Sequence, residues 1–552
     1  MKKLQPIDAL TLQHLAVELA GLMTGTQINK VQHLSHTEFL LHTWGGAFRK
    51  FYLNVSPENP VCFFCDGTDF IRREFTQPTG LCMLLRKHLV GSRIVRVDSQ
   101  PGERVLNITV SILNEWGEPV ERLLSFELMG KHTNLLLVGD GVILGAAHAV
   151  SESMSRFREI RANLPYAPPP KTDHKRLLAD VSDAELLAIL HAEGFLALPQ
   201  HVQGLGRDML NSLLDPQADP ATWLAILRDV DAGRGLRPAI SPQGFSLKPF
   251  ADEGWQFQST VHTMVANYFQ PRLQERVVGK VRNQLLKTVE TQITRLTQQQ
   301  PDAHTETEAS PWQAWGDLLL LEAHLPIPPT AEAVTVVDPA TEQPVSIPVD
   351  PMLSRVDNAQ KYFKRVQKER ARSRSQAERG AMLATEQARW ENLGQLVAQA
   401  DDLETLSALR QEIQPEPTHG KPAKEPTGGL LKLTTPDGWE VWIGKTGTAN
   451  AQLCGKLAKP WDVWLHTHQM PGSHVLIRRP DRSQPVPDAT LLAAAQWAAY
   501  FSAGRQSTKV PVVYTEARFV RKIPDSYPGH VNYREETLVV VEPQAPEAPV
   551  ET

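Results

Sequence analysis

Three observations predict a multidomain α+β protein. The chain has 552 residues, which at roughly 150 residues per domain implies three or four folded units. Its apolar pattern changes along the chain, from strand-like segments near the front to a 3.6-residue period in the middle and back to strands near the end. Two long helical stretches lie between those blocks, so a single compact core is excluded. The architecture expected is a β-rich N-terminal domain, a small helical module, a long antiparallel coiled-coil arm and an α/β C-terminal domain.

In chain order, a helix is expected over 8–21, where Leu10, Leu12, Leu15, Val17 and Leu19 recur among alanines and Gly25 closes the run. Strands follow at 28–31, 38–42, 50–55 and 61–65, with Gly45-Gly46 as a hairpin turn. A short helix at 81–89 separates them from strands at 94–98, 105–110, 123–127 and 134–138. Pro168-Pro169-Pro170 then ends a first domain of residues 1–170. Residues 175–255 read as short helices around Gly204-Leu205-Gly206. That Gly-x-Gly is either a helix-hairpin-helix turn offering N–H groups to phosphate or a plain helix C-cap. From 260 to 415, helices at 261–298 and 358–398 flank a proline-rich insertion at 320–352. The first carries Val278, Val281, Leu285, Val289, Ile293 and Leu296 at steps of three and four, the pattern of an antiparallel helical arm. A polar linker at 415–429 leads to a last domain, 430–542, with strands near 431–433, 440–443, 463–466, 474–477 and 510–514 and a helix at 491–501.

Lys plus Arg number 57 and Asp plus Glu 62, a formal charge of −5. A uniformly basic polyanion binder is therefore excluded, and any nucleic acid must be held by local patches. With 41% hydrophobic and 22% charged residues, the composition is that of folded rather than disordered protein. Four cysteines, Cys62, Cys65, Cys82 and Cys454, make no disulfide framework and fit a reducing compartment. Asp8, Gln13, His14 and Glu18 interrupt what a signal peptide would keep apolar. No run approaches about eighteen apolar residues, so a cytoplasmic protein without a membrane partner is expected.

Two local features stand out. Between residues 355 and 374, eight cations (Arg355, Lys361, Lys364, Arg365, Lys368, Arg370, Arg372, Arg374) face only Asp357 and Glu369. The opposing helix carries Arg272, Arg276, Lys280, Arg282, Lys287 and Arg295 against Glu275 and Glu290. This bias suits a phosphate backbone or a solvated helix face. The segment 514–522, with Tyr514, Arg518, Phe519, Arg521 and Lys522, interleaves aromatics and cations as single-stranded RNA surfaces do, and as an amphipathic edge strand does.

Catalytic and metal signatures fail in turn. Cys62-x-x-Cys65 has no second pair and sits among Phe63 and Phe64, as buried thiols do. His466, His468 and His474 lack a neighbouring carboxylate or cysteine ligand. Gly444-Lys445-Thr446 ends like a P-loop, yet Trp439 stands where the first glycine belongs. Ser473, in Pro471-Gly472-Ser473-His474, lacks the second glycine of a nucleophile elbow. No catalytic residue, metal or cofactor is expected.

Several blocks, in one order, resemble a single family. They are Gln77-Pro78; residues 81–91 with Arg86, Lys87 and His88; residues 126–135 with Glu127, Leu128, Met129, Gly130, Lys131, His132 and Asn134; Ser155-Arg156; 166–170; 357–364; 462–466 and 471–475 with His466 and His474; and Tyr514, 520–522 and 528–531. Together they resemble the NFACT family, the RqcH- and NEMF-like ribosome quality-control factors often described as fibronectin-binding. The resemblance implies an N-terminal NFACT domain, a helix-hairpin-helix-like module, the coiled-coil arm and an RNA-binding C-terminal domain. It further implies a factor that binds large ribosomal subunits obstructed by peptidyl-tRNA. Such a factor recruits tRNA, in bacterial relatives alanine tRNA, for mRNA-independent C-terminal tailing. The ribosome supplies the peptide-bond chemistry, so the chain would be an adaptor and not an enzyme. A tRNA-linked Asp-Arg pair of the family corresponds here to Glu103-Arg104, one methylene longer at the acid. The tRNA set is then Glu103, Arg104, Arg86, Lys87, His88 and 127–132 with Asn134. Subunit RNA falls to Lys361, Lys364, Arg365, Lys368, Arg372, Arg374, His466, His474, Arg518, Arg521 and Lys522. Lys131 stands where arginine is common, and Gly444-Lys445-Thr446 where Gly-Arg-Asn is usual. The alternatives are a fibronectin-binding adhesin and a glycosylase-like nucleic-acid enzyme. The family's first domain is similar to such glycosylases, but Lys2 follows Met1 and the first proline is Pro6, so their N-terminal proline nucleophile is missing.

Overall fold

A computed structural model describes residues 4–65, 78–155, 157–170, 174–299, 310–414, 429–524 and 526–546. Gln77, Arg156 and nearly all of the 415–429 linker lie outside them. The chain forms two compact units, Met1–Arg276 and Val277–Thr552.

The first unit opens with α1 (Ala9–Met23), whose N-cap Asp8 accepts a hydrogen bond from the Thr11 N–H at 2.8 Å, an exchange that stabilises a helix start by about 1 kcal/mol. Strands β1 (Gln27–Ser35), β2 (Glu38–Trp44), β3 (Phe48–Asn54) and β4 (Val61–Phe64) follow, then α2 (Gly80–Leu89). Next come β5 (Arg93–Ser99), β6 (Val105–Leu113), β7 (Pro119–Glu127), β8 (Asn134–Gly139) and β9 (Val142–Ala146). All nine strands form one sheet in the order β4-β3-β2-β1-β5-β6-β7-β8-β9, antiparallel throughout. The β2–β3 turn uses Gly46 at φ +90°, a conformation open to glycine at no steric cost. Leu12, Leu15 and Leu19 of α1 and Leu85 and Leu89 of α2 are wholly buried in the sheet's core.

Four helices come next: α3 (Asp183–Glu193), α4 (Leu198–His201), α5 (Arg207–Leu213) and α6 (Pro220–Asp231). The expectation of helices alone is corrected by a three-stranded sheet of β10 (Ala239–Ile240), β11 (Phe245–Ser246) and β12 (Gln256–Phe257). Strands of two residues are too short to leave a periodic signature. One continuous apolar cluster runs from Ile7 through Leu213 to Leu273. The 39-residue α7 (Val261–Gln299) gives its first turns to this core and the rest to the second unit.

In the second unit, the hairpin β13 (Ala333–Val337) and β14 (Pro344–Pro348) lies in the insertion, α8 (Trp312–Leu321) precedes it, and both pack on Ala359 and Tyr362 of α9 (Arg355–Gln399). Ser354 and Asp357 form a capping box that starts α9. A further helix, α10 (Leu403–Ile413), was not expected. Val278, Leu285 and Val289 of α7 meet Leu393, Leu396 and Val397 of α9 and Leu406 and Leu409 of α10. The α7–α9 pairing is antiparallel, because Arg282 reaches the Ala400 carbonyl whereas Val289 lies against Gly394. The apolar seam is confined to this base. From 367 to 379 every α9 side chain is exposed except half-buried Glu369, so among the described residues no coiled-coil seam runs the length of α9.

The last domain contains β15 (Leu430–Thr434), β16 (Glu440–Gly444), α11 (Gly447–Gln452), β17 (Val463–Thr467), β18 (Val475–Ile477), α12 (Asp488–Tyr500), β19 (Val510–Glu516), β20 (Val520–Lys522), β21 (Val531–Tyr533) and β22 (Thr537–Val541). Its main sheet, in the order β15-β16-β18-β17-β19-β22, is antiparallel at every pairing, so the α/β expectation for this domain is corrected to a mixed antiparallel one. β18 and β19 flank β17, run in the same direction and are joined through α12, a split βαβ crossover within a sheet whose neighbouring strands are all antiparallel. α12 covers one face. The other face packs Trp464, Leu476 and Val513 beneath residues 453–457 and the β20–β21 ribbon.

If the base of the α7–α9 pair carries the stability of that segment, Leu396→Ala, at a 1% exposed site, costs about 2–5 kcal/mol. Met382→Ala, at a 73% exposed site, leaves the urea midpoint unmoved.

Candidate nucleic-acid interface

Pairing of β6 with β7 brings together two motifs that the sequence keeps apart. Val105 stands opposite Glu127, and the Leu128 N–H donates to the Arg104 carbonyl at 2.7 Å. Glu103 and Arg104 thus share a corner with the start of the 127–134 segment. Both are half-buried, and they line a cleft of about 330 Å³ with Asp8, Gln203, Arg207 and Asp208. Desolvation works against the Arg104 charge while Asp8 and Glu103 favour it. Desolvation likewise raises the Asp8 carboxyl, opposed by its bonds to Thr11 and by Arg104. The Gly-x-Gly turn is part of the same wall. Gly204 has φ +88°, and a Cβ there would lie 3.0 Å from the Gly102 Cα. A Cβ on Gly206, the N-cap of α5, would lie 2.9 Å from Asp8 Oδ2. The two glycines let the helical module approach the β5–β6 turn, which neither expectation for them foresaw.

Within 127–134 the residues divide sharply. Glu127 is 0% exposed and accepts hydrogen bonds from Nη1 and Nη2 of Arg158, Nη1 to Oε1 at 3.0 Å. Burial pushes its carboxyl up and Arg158 pulls it back. Leu128 is in the core. Asn134 is buried and bonds the His148 N–H and carbonyl at 3.0 and 2.7 Å. These three hold the segment in shape. Met129 and Gly130 are half-exposed, and Lys131 and His132 are exposed at the tip. Arg86, Lys87 and His88 lie in the last turn of α2. Arg86 Nε donates to the Val31 carbonyl at 3.1 Å, Lys87 is exposed, and burial, then the charges of Arg122 and Lys87, lowers His88. Since Arg122 lies five residues before Glu127 on β7, about 17 Å of strand, this patch does not join the corner.

On α9, Lys361, Lys364, Arg365, Lys368 and Arg372 are exposed and fall within about 100° of helix circumference over about 16 Å. Arg370 and Arg374 are exposed on the opposite side, with Arg374 paired to Glu378 at 2.9 Å. Lys361 also meets Asp350 at 2.8 Å, and Arg365 lies over Tyr362 and Trp312. Arg355 leaves the cluster, being 7% exposed and paired to Glu322. Much of the α7 charge is likewise internal. Arg272 covers Tyr268 and bonds its carbonyl, Arg276 meets Asn59, and Arg282 bonds the Ala400 carbonyl.

In the last domain Arg518, Arg521 and Lys522 are exposed; Arg518 pairs with Glu516 at 2.7 Å and covers Phe519. His474 is 3% exposed, with Nδ1 3.1 Å from the Cys454 Sγ and its ring edge-on to Trp464. His466 is half-buried against the same tryptophan. His474, expected to contact RNA, has its ring turned into the fold against Cys454 and Trp464. Burial pushes the Cys454 thiol up to about 12 and His474 well below the imidazole range, so the pair is neutral and lacks the thiolate a nucleophile needs. Lys445 bridges Asp401 and Asp402, and Thr446 caps α11, tying α10 to the sheet. Burial raises Cys62 as well.

Family models match nearly the whole chain: NFACT N-terminal and middle domains over residues 8–425, and the NFACT protein RNA binding domain over 431–535. The chain belongs to the NFACT family. Among curated proteins, this NFACT chain is 26% identical over 550 residues to the Rqc2 homolog RqcH of Streptococcus pneumoniae strain D39, covering 98% of each. It is 27% identical over 499 residues to the Rqc2 homolog RqcH of Bacillus subtilis strain 168, covering 85% of this chain and 86% of that one. Among solved structures, the N-terminal part of the fibronectin/fibrinogen-binding protein from Streptococcus suis matches 48% of this chain at 26% identity and a TM-score of 0.41. Among the described residues of this NFACT chain no helix is long and apolar enough to cross a membrane.

Sequence reasoning passed over Asp8, Gln203 and Arg158. Asp8 carried a helix-cap signal, but nothing in the sequence joins Gln203 to Glu103 or Arg158 to Glu127. Breaking a buried pair strands its partner's charge, so Arg158→Ala is expected to cost about 3–5 kcal/mol. Replacing both partners, Glu127→Leu with Arg158→Met, costs less; urea unfolding of the two variants provides the comparison. For His474, the unfolded ring takes a proton near pH 6.5 and the folded ring does not. Stability is therefore full above pH 6.5 and falls as pH drops toward the depressed folded value. Calorimetry from pH 7 to 5 checks this: the melting temperature declines in the wild type, with a flatter slope in His474→Gln.

Proposed function

We propose that this NFACT protein is a ribosome-associated quality-control factor acting in the cytoplasm. It binds large subunits obstructed by peptidyl-tRNA and recruits tRNA, with alanine acceptors preferred, for mRNA-independent C-terminal tailing of stalled chains. The protein is an adaptor, and the ribosome forms the peptide bonds. One observation carries the reading: Glu103 and Arg104 line a cleft, and the β6–β7 pairing sets them beside the start of the 127–134 segment, whose tip exposes Lys131 and His132. Recognition of folded RNA needs that mixture, since carboxylates and guanidinium groups read base edges while cations hold phosphates. The family's RNA-binding domain and the RqcH relatives support the same reading. The α9 stripe supplies the phosphate-binding surface for the subunit, with Arg521 and Lys522 as a second cationic patch.

Protein purified at low salt is expected to carry large-subunit RNA and a tRNA pool enriched in alanine acceptors; RNA-free protein would falsify the reading. Arg104→Ala lowers tRNA recovery while subunit association persists. Reversing Lys364, Lys368 and Arg372 to Glu weakens subunit binding and reduces the steepness of its log–log salt dependence by about 2 to 3. An unchanged slope would assign the stripe to solvent.

A further inference from the structure

We propose that Gln203, on the loop between α4 and α5, is a positioning residue that holds the Glu103 carboxylate and so sets which nucleobase the corner accepts. The inference rests on the tRNA reading above and adds a residue from a different part of the fold. Gln203 Nε2 donates a hydrogen bond to Glu103 Oε1. That link bridges 100 residues of sequence and brings the helical module onto the β5–β6 turn.

Both sides of the link are restrained independently of it. The Gln203 N–H donates to the Arg176 carbonyl at 2.9 Å, and Arg176 and Val202 form a parallel bridge. The Glu103 N–H donates to the Gln100 carbonyl at 3.0 Å. Gly102 has φ +71°, and a Cβ there would meet Leu177 and lie 3.2 Å from the Gln203 Cγ. Gly204 rests directly on Gly102. The Gln203 stem therefore lies against the turn that carries Glu103, on backbone that is held by its own hydrogen bonds, and Glu103 is the partner of its amide.

An ionised carboxylate only accepts hydrogen bonds. It selects an unpaired base edge that presents amino or imino N–H groups and disfavours an edge of acceptors. Discrimination of that kind needs the carboxylate fixed before the base arrives, because each side-chain torsion frozen on binding costs entropy for right and wrong bases alike. A glutamate has one torsion more than an aspartate to freeze. The Gln203 amide freezes it in advance, and as a charge-assisted bond it does so more strongly than a neutral pair would. Removing the amide lets the carboxylate swing toward Arg104, where it satisfies the cation and no longer reads the base.

The test uses the full chain purified from its host at low salt, with bound tRNA quantified and sequenced. Four forms are compared: wild type, Gln203→Met, Glu103→Asp, and the double variant, with Gln203→Ala as a second truncation and thermal unfolding as the folding control. Methionine keeps the length and burial of the side chain and removes only its polar end. The expected result is a roughly tenfold fall in enrichment of the preferred acceptor over bulk tRNA in Gln203→Met, with total tRNA and melting temperature near wild type. No further fall is expected in the Glu103→Asp background, whose carboxylate is too short to reach the amide. Unchanged enrichment in both Gln203 variants, or an equal loss in the two backgrounds, overturns the inference while leaving the tRNA reading intact. Wild-type protein without an enriched tRNA overturns the reading and this inference with it.

Discussion

The register of β6 against β7 is the constraint on which the candidate site depends. With Val105 opposite Glu127, the chain leaves β7 beside the residue where it entered β6, and two motifs more than twenty residues apart become neighbours. A slip of one residue would turn every side chain of β6 to the other face, taking Leu106, Ile108 and Val110 out of the core they share with Phe126. The hydrophobic core therefore enforces the geometry of the polar corner. Arg158 completes the arrangement by neutralising Glu127 at the strand end, where a carboxylate alone in the core would be several kcal/mol too costly.

A second consequence is a division of polar residues between scaffold and surface. Glu127, Asn134, His474, Lys445 and Arg355 look from their chemistry like groups that touch RNA. Each instead closes a hydrogen bond or an ion pair inside the fold. Lys87, Lys131, His132, Arg518, Arg521, Lys522 and the α9 stripe stay exposed. A residue type that suits RNA suits a buried network equally well, since both reward a charged donor beside an acceptor.

The same distinction explains what was legible in the sequence. Helices α1, α2, α7 and α9 announce themselves through apolar spacing and caps, because a helix is a local structure whose period survives in any window. The hairpins around Gly45-Gly46 were legible for the same reason. The strands β10 to β12 were not, being two residues long and stabilised by partners elsewhere, and β22, Thr537–Val541, is a short continuous apolar run that periodicity alone does not classify. At the site, Glu103 and Arg104 were reached through family resemblance. Gln203 and Arg158 were invisible because their roles arise from contacts between distant segments, and Asp8 showed only its local helix-cap signal. The Gly204-Leu205-Gly206 turn was singled out correctly as special, yet its purpose lies in what it approaches, Gly102 and Asp8, and no local pattern carries that.

An acidic chain that grips RNA is no paradox once distances are considered. At physiological ionic strength the screening length is about 8 Å, so a phosphate docked on α9 responds to charges within one or two helical turns and hardly at all to the total of −5. Within that radius the exposed stripe presents Lys361, Lys364, Arg365, Lys368 and Arg372, while the acid nearest in sequence, Glu369, is half-buried and accepts a hydrogen bond from Ser310. The cations of α7 contribute less than their number suggests, because Arg272, Arg276 and Arg282 spend their donors on Tyr268, Ser241, Asn59 and Ala400. Net charge then governs solubility and weak repulsion from bulk RNA, and under the proposed function attachment falls to local surfaces such as this stripe, where exposed cations outnumber their internal partners.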